Sequence, residues 1–222
     1  MNSKILMLRH GITEGNKNKW FYGESDLPLI SEGIEELNRQ KERGIYPEIP
    51  KDALFFTSGL GRTAETLNIL FGDRDFEEVR DLREINFGVC ECKSFDELKD
   101  DEAFNSWTYD ETGDYQFPQG ESRNQFKERV ARGFKYVLAR HMDLVGKKEA
   151  VREESSGTAA SDAAMTVVIC HGGVITEILY NLFPEEKESR WGWMPQPGCG
   201  YILDVIEGRV TNPCLLGKAT IY

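Results

Sequence analysis

Long apolar runs and basic clusters are both absent from this 222-residue sequence. No run approaches the ~20 apolar residues that a membrane-spanning helix needs, and residues 1–4 lead into a short apolar run without a signal-peptide pattern. The formal net charge is −11, and no cluster of Lys and Arg offsets it. Such a charge disfavours nucleic acids and anionic membranes, but it permits a small anion to bind in an arginine-lined pocket. We therefore expect a cytoplasmic protein without a membrane or nucleic-acid partner.

Cysteine and histidine are scarce, with five and three residues respectively. Cys90 and Cys92 are too close for an ordinary disulfide, and no pair of Cys-x₂-Cys motifs suggests a zinc site. We therefore expect no structural metal and no disulfide. A Pro- or Ser-rich linker is also missing, so a single domain over residues 1–222 is expected. Nothing in the sequence predicts the oligomeric state.

Two of the three histidines follow a short apolar run and precede a glycine. Residues 5–8 lead into Arg9-His10-Gly11, and residues 166–170 lead into His171-Gly172-Gly173. Apolar runs of this length that stop at glycine are typical of buried strands. Residues at the ends of such strands lie at the crevice where α/β sheets bind ligands. A single histidine in this position is more often structural than functional, whereas two of them call for a closer look at their neighbours.

Strands and helices alternate along the rest of the chain. Further strands are predicted at residues 53–57, 78–82, 200–205 and 209–211. This alternation predicts an α/β fold of three α/β/α layers, in which a doubly wound, mostly parallel sheet has helices on both faces. Capping boxes at Ser94 and Ser122 begin two helices, expected to end at about Trp107 and at Gly146. We expect residues 93–120 to form a cap or insertion, and residues 147–164 a solvated, mobile loop.

Two more chemistry-bearing residues follow predicted strands. Arg62 lies just after the strand at 53–57, and Glu84 just after the strand at 78–82. Because loops after successive parallel strands open at one edge, we expect these two to meet Arg9, His10 and His171 there. Two guanidinium groups suit phosphate oxygens, and an imidazole can act as a nucleophile. A carboxyl group with a raised pKa can protonate a leaving oxygen.

These residues stand within longer motifs that resemble those of the histidine phosphatase superfamily, the phosphoglycerate-mutase-like proteins. The motifs are residues 8–16 around the first histidine, 57–66 around Arg62, 82–88 around Glu84, and His171-Gly172-Gly173. Residues 22–29 and Gly120-Glu121-Ser122 are similar to the phosphatase side of the superfamily. Together the motifs occur in the family's order over residues 8–173.

The resemblance implies a phosphatase of the phosphoglycerate-mutase-like fold that needs neither metal nor cofactor. His10 would attack phosphorus and form a phosphohistidine. Arg9 and Arg62, together with His171, would stabilise the charge on the equatorial oxygens. Glu84 would protonate the leaving alcohol and then deprotonate the incoming water. The remaining substrate contacts would come from Thr13, Asn16, Tyr22, Gly23 and the Gly172 amide.

The charge of the expected cap bears on the substrate. Residues 93–119 contain two basic and eight acidic residues. A phosphoglycerate mutase needs extra basic groups for the substrate carboxylate, so this composition favours hydrolysis of a small phosphomonoester. Aromatic residues crowd the cap and residues 20–22, and they would favour an apolar or ring-bearing leaving group if they lined the cleft.

The motifs are similar in style to those of α-ribazole phosphatases and their broad-specificity relatives, so α-ribazole 5′-phosphate is one candidate substrate. Two alternatives to a hydrolase stay open. One is a phosphotransferase of the phosphoglycerate-mutase type. The other is a non-catalytic phosphate-binding protein on the same fold.

Overall fold

A six-stranded mixed sheet lies at the centre of the computed structural model, which describes residues 3–154 and 163–218. Its strands are β1 (Ser3–Arg9), β3 (Leu54–Thr57), β4 (Glu77–Glu78), β6 (Met165–Cys170), β7 (Gly200–Ile206) and β8 (Arg209–Leu216). Their order is β4-β3-β6-β1-β7-β8, in which β4, β3, β6 and β1 are parallel. The hairpin β7–β8 adds an antiparallel edge next to β1. The predicted α/β fold with a mostly parallel sheet is confirmed.

Helices cover both faces of this sheet. They are α1 (Glu14–Lys17), α2 (Ser31–Glu42), α3 (Gly61–Phe71), α4 (Phe95–Leu98), α5 (Glu102–Tyr109), α6 (Arg123–Glu154) and α7 (Gly172–Leu182). Strand β1 is buried on both sides because its apolar side chains alternate between two hydrophobic clusters. Ile5 and Met7 pack with residues of α6 and α7, whereas Leu6 and Leu8 pack with residues of α2 and α3. The sheet is therefore the middle of three layers.

The expected cap packs onto the cluster that contains α6 and α7. Strand β5 (Lys93–Ser94) pairs with β2 (Trp20–Phe21) in a small antiparallel sheet, and α4 and α5 follow it. Phe87, Phe104, Trp107 and Phe117 form a chain of ring contacts that also includes Phe21. Phe21, Phe104, Trp107 and Phe117 therefore belong to the core, whereas Phe95 and Tyr109 are exposed.

The strand predicted at 209–211 continues as β8 to Leu216. Three other predicted boundaries were wrong. The strand predicted at 78–82 is only the two-residue β4, after which Arg80–Leu82 form a 3₁₀ turn. The helix predicted from Ser94 to Trp107 is split into α4 and α5, because Asp101 caps a new helix by accepting a hydrogen bond from the Phe104 amide.

The third wrong boundary is the end of the long helix. Helix α6 continues through Gly146 to Glu154. One glycine costs an exposed helix about 1 kcal/mol, and the strong helix formers of residues 147–154 outweigh that cost. The first half of the predicted 147–164 loop is therefore helical, and residues 155–162 lie outside the described residues. Among the helices of residues 3–154 and 163–218, none is long and apolar enough to cross a bilayer.

Candidate active site

The parallel strands β3, β6 and β1 are neighbours, and their carboxyl ends bring three of the predicted motifs together. His10 directly follows β1, His171 directly follows β6, and Arg62 lies in the first turn of the helix after β3. Helices α3 and α7 begin at this edge, so the positive ends of their dipoles lie beside the same site. This arrangement favours an anionic ligand.

His10 is buried, and the tautomer of its ring follows from a single contact. Its Nδ1 lies 2.7 Å from the carbonyl oxygen of Gly11, which can only accept a hydrogen bond. The proton of a neutral His10 therefore sits on Nδ1, and the lone pair is on Nε2. Burial, followed by the charges of Arg62 and Arg9, holds the pKa of His10 well below its usual value of 6.5. His10 is thus a neutral imidazole whose Nε2 carries the lone pair.

His171 packs against His10, with the ring centroids 5.2 Å apart and the rings nearly perpendicular. Its Nδ1 lies 3.4 Å from Arg62 Nη2, and its Nε2 lies 2.8 Å from Ser58 Oγ. Because arginine can only donate, Nδ1 is the acceptor and Nε2 carries the proton. Burial, then Arg62 and His10, holds the pKa of His171 well below its usual value. Both of its nitrogens thus contact protein groups in this structure, and the predicted contact of His171 with phosphate stays a prediction.

Arg62 is fully buried, and backbone carbonyls fix its guanidinium group. Its Nη1 donates to Ser25 O at 2.8 Å, and its Nη2 donates to Gly23 O at 2.7 Å. The ring of Tyr22 lies 5.1 Å from the guanidinium carbon, in a cation–π contact. The Nε–H of Arg62 is buried and has no hydrogen-bond partner. A buried donor left unpaired is costly, and an anionic ligand oxygen would satisfy it.

Arg9, the residue before His10, also has a buried Nε–H group without a partner. Its Nη1 donates to Pro195 O at 2.9 Å, while its Nε is buried without a hydrogen-bond partner. The guanidinium group passes so close to the start of α7 that a Cβ on Gly172 would lie 3.2 Å from its Cζ and would also collide with Met194 Sδ. Gly172 is therefore required for the position of Arg9.

Glu84 joins the site from the segment after the 3₁₀ turn. Its Oε2 accepts a hydrogen bond from the Gly173 amide at 2.8 Å, and its Oε1 accepts one from the Ile85 amide at 3.0 Å. Burial raises the pKa of the carboxyl group, and the two amides partly oppose that effect. A carboxyl group with a raised pKa beside two arginines is suited to exchanging protons with a ligand oxygen.

Four predicted substrate contacts have protein partners of their own. Thr13 is buried, caps α1, and shares a 2.6 Å hydrogen bond with the Tyr22 hydroxyl. Asn16 uses its Oδ1 to accept from the Thr13 amide at 3.0 Å, which leaves its Nδ2 as the donor available to a ligand. The Gly23 carbonyl holds Arg62, and a Cβ on Gly23 would overlap Ile85 O. Of the four, Asn16 is thus best placed for direct contact, and Thr13, Tyr22 and Gly23 shape the pocket.

Glu91 and Ser58 were not predicted from the sequence. Glu91 accepts hydrogen bonds from the amides of Gly23, Ser25 and Phe87 at 2.9–3.0 Å, and from the Glu24 amide at 3.2 Å. Its carboxylate therefore fixes the loop whose carbonyls hold Arg62. Ser58 fixes the ring of His171. A loop of three consecutive residues whose amides bind a distant acidic residue has no local sequence signal, and hydroxyl contacts to histidine have none either.

Metal ligands are a separate matter. In the part of the chain that the structure describes, no three His, Cys, Asp or Glu side chains are grouped so that they could hold a metal ion. The prediction that the reaction needs no metal stays a prediction, and the same holds for the absence of a cofactor.

Comparisons with known proteins agree with this geometry. An Escherichia coli protein named "Probable phosphoglycerate mutase GpmB" is 32% identical over 134 residues, which are 57% of this chain and 59% of that protein. The chain thus spans less than two thirds of the curated relatives it matches. An alpha-ribazole phosphatase from Shigella flexneri has the same fold, with a TM-score of 0.75 at 22% identity over 99% of this chain and 98% of that one.

A phosphoglycerate mutase from Thermus thermophilus superposes with a TM-score of 0.60 at 26% identity, covering 95% of this chain and 97% of that one. The family model of the histidine phosphatase superfamily, branch 1, matches residues 5–213. That match includes every strand of the central sheet and all five residues of the predicted constellation, and so the chain belongs to the histidine phosphatase superfamily.

Proposed function

We propose that this protein is a metal-independent phosphomonoester hydrolase that works through a phosphohistidine at His10. The observation that carries the proposal is the position of His10. Its Nε2 lone pair is set by the Gly11 contact, and it lies beside two arginines that each have a buried, unpartnered Nε–H. A buried nucleophile flanked by unpaired cationic donors fits a tetrahedral phosphoryl group.

The reaction would take two displacements. In the first, His10 Nε2 attacks phosphorus, the N–P bond forms, and the P–O bond to the alcohol breaks. The Glu84 carboxyl group gives its proton to the departing oxygen. In the second, the Glu84 carboxylate takes a proton from water, the water oxygen attacks phosphorus, and the N–P bond breaks. Inorganic phosphate leaves, and His10 and Glu84 return to their starting protonation states.

Arg9 and Arg62 would stabilise both displacements. Negative charge is spread over the three equatorial oxygens of the transferring phosphoryl group, and rigid donors aimed at those oxygens lower the barrier without reorganising. The carbonyls of Ser25, Gly23 and Pro195 fix both guanidinium groups in advance. His171 would contribute by fixing the positions of the His10 ring and the Arg62 guanidinium group, both of which it contacts.

Hydrolysis of a singly phosphorylated substrate is favoured over mutase activity by the charges around the site. Arg83, the arginine adjacent to Glu84, forms an ion pair with Glu24 and directs its Nε to Ser58 O. In the cap, the Lys99 ammonium lies 3.7 Å from the Asp96 carboxylate, and residues 93–119 contain eight acidic residues against two lysines. These contacts occupy the cations that a second anionic group on the substrate would need.

The substrate we propose is a small phosphorylated metabolite, with α-ribazole 5′-phosphate as one candidate. The structural similarity to alpha-ribazole phosphatases supports the shared fold. The second candidate function is a phosphoglycerate-mutase-type phosphotransfer, which the similarity to the Escherichia coli GpmB protein favours. Localisation in the cytoplasm and action without nucleic acid or membrane remain part of the proposal.

Two measurements test the proposal. Turnover of a ³²P-labelled phosphomonoester, stopped with base, should yield an alkali-stable phosphohistidine that is absent in His10→Ala. That variant should lose at least about 10⁴-fold in kcat, and near-wild-type activity would contradict the proposal. Incubation with 3-phosphoglycerate and its bisphosphate separates the two candidates, because a hydrolase releases inorganic phosphate whereas a mutase forms the 2-phosphate isomer.

A further inference from the structure

The acid segment is irregular in conformation, yet a single side chain from α6 holds it. Arg129 directs its guanidinium group at three backbone carbonyls of residues 81–84. Its Nη1 donates to Asp81 O at 3.0 Å and to Arg83 O at 2.6 Å, and its Nη2 donates to Glu84 O at 2.9 Å. Of all side chains, only arginine can donate in so many fixed directions at once.

Glu121 of the Gly120-Glu121-Ser122 motif completes this arrangement. Its Oε2 accepts from Arg129 Nε at 2.8 Å, and its Oε1 accepts from Arg129 Nη2 and from the Asn86 amide, the latter at 2.8 Å. The Glu121 amide in turn donates to Asn86 O at 3.0 Å. Arg129 also stacks over the Phe126 ring at 5.0 Å. The segment is thus held by Arg129 before Glu84 and by Glu121 after it.

We infer that Arg129, oriented by Glu121, is a positioning residue for proton transfer by Glu84. The inference rests on the proposed role of Glu84 as the general acid and base. Arg129 does not reach the substrate side of the carboxyl group, whose oxygens accept from Gly173 and Ile85. It acts on the backbone instead, which sets where the side chain begins.

Two features separate this role from ordinary fold stabilisation. All three carbonyls that Arg129 binds belong to residues 81–84, directly at the acid. Its charge also favours the ionised form of Glu84 and so opposes the effect of burial on the pKa of that carboxyl group. A carboxyl group that must both give and take a proton needs these opposing effects in balance.

The experiment compares two substrates in Arg129→Met. Glycerol 2-phosphate has an alkoxide leaving group that needs a proton, whereas p-nitrophenyl phosphate has a phenolate that leaves without one. We expect kcat/KM to fall about 10²-fold for the alkyl ester and less than about 10-fold for the aryl ester, since general acid catalysis is worth 10²–10⁴-fold. The ratio of the two values does not depend on the fraction of protein that is folded.

The second variant and the control come from the same helix. Arg129→Lys keeps the charge but loses the fork, and we expect an intermediate change of about 3-fold in the ratio; it is also the test variant if Arg129→Met does not fold. Arg132→Met removes a neighbouring arginine that pairs with the Asp81 side chain at 3.3 Å and is largely exposed. It should leave the ratio unchanged.

The variant Glu84→Gln distinguishes a failure of the inference about Arg129 from a failure of the proposed role of Glu84. If Arg129 acts through Glu84, adding Arg129→Met to Glu84→Gln should change the ratio by less than about twofold, because coupled residues are not additive. Equal losses on both substrates in Arg129→Met would make its role structural and overturn the inference alone. If Glu84→Gln itself shows no preferential loss on the alkyl ester, the proposed acid is wrong and the inference fails with it.

Discussion

The contact between Gly173 and Glu84 allows one substitution to displace the proposed acid without removing it. Gly173 lies in the first turn of α7, and its amide donates to Glu84 Oε2 at 2.8 Å. In Gly173→Ala, the added Cβ would lie 2.9 Å from Glu84 Cδ, 3.0 Å from Oε2 and closer still to Oε1. The carboxyl group must retreat by about 1 Å to restore ordinary van der Waals separation.

The size of the effect follows from that displacement. A shift of about 1 Å in a reacting group costs on the order of 10²-fold in rate, and we expect this loss in kcat/KM for an alkyl phosphomonoester. An aryl phosphomonoester should lose less than about 10-fold, because its leaving group departs without a proton. The helix gains from alanine while Glu84 loses a hydrogen bond, so the free energy of unfolding should change by less than about 2 kcal/mol.

The assay measures kcat/KM for glycerol 2-phosphate and p-nitrophenyl phosphate, with a thermal melt of each protein. Gly146→Ala is the matched control, because Gly146 also lies in a helix but a Cβ there meets nothing within 4 Å. It should keep both kcat/KM values and gain about 0.5–1 kcal/mol in stability. Wild-type kcat/KM for the alkyl ester in Gly173→Ala would refute the assignment of Glu84 as the acid.

Two further substitutions test groups outside the reacting set. Glu91→Gln leaves one of several amides of the loop at 23–25 unpaired, so Arg62 should shift and kcat/KM should fall about 10–100-fold for both substrates. Glu97→Gln in the cap is the control, and its kcat/KM should stay within about twofold of the wild-type value. Equal kcat/KM values for the two variants would contradict this prediction. His141 is buried between Ser3 and Thr166, and burial lowers its pKa from 6.5 to about 4. In the unfolded chain this histidine binds a proton near pH 6.5, whereas in the folded protein it stays neutral down to a pH of about 4. The free energy of unfolding is therefore highest above pH 6.5 and falls by roughly 3 kcal/mol as the pH decreases towards 4. His141→Gln should flatten this dependence in urea denaturation at pH 7.5 and 5, and parallel curves for the two proteins would exclude it.

Much of the fold follows from short-range patterns in the sequence. The apolar runs that become β1 and β6 are long enough, and sharply enough ended by glycine, to be identified without tertiary information. Strand β4 has two residues and exists only because it pairs with the end of β3, so no local pattern could delimit it. The end of α6 predicted at Gly146 was wrong because the propensities of the neighbouring residues add up, and together they outweigh the cost of one glycine.

The residues of the candidate site also fall into a group that the sequence predicts and a group that it does not. The sequence predicts residues that carry chemistry themselves, because Arg62 and His171 each stand at the end of a recognisable strand. It does not predict the groups that hold them, such as Glu91 and Arg129, which act on backbone atoms far along the chain. Almost every residue has a main-chain amide and carbonyl, so a hydrogen bond to one of them places no constraint on the type of the residue that is bound. The direct role of His171 on phosphate stays a prediction, and its 2.8 Å contact with Ser58 Oγ is a further one that no local sequence pattern indicates.

The acidity of the protein and the cationic character of its site are therefore connected. Glu91 binds amides of the loop that orients Arg62, Glu121 orients Arg129, and Glu24 pairs with Arg83. Each of these carboxylates fixes a cation or a loop at the edge of the site without reaching the phosphoryl position itself. Carbonyls, which carry only partial charge, hold the terminal nitrogens of Arg9 and Arg62, and the Asp26 carboxylate that also pairs with Arg62 Nη1 at 3.6 Å is 45% exposed. The Nε–H groups of both arginines have no hydrogen-bond partner. Replacing those carbonyl contacts with carboxylates would neutralise the two arginines and weaken binding of any phosphate.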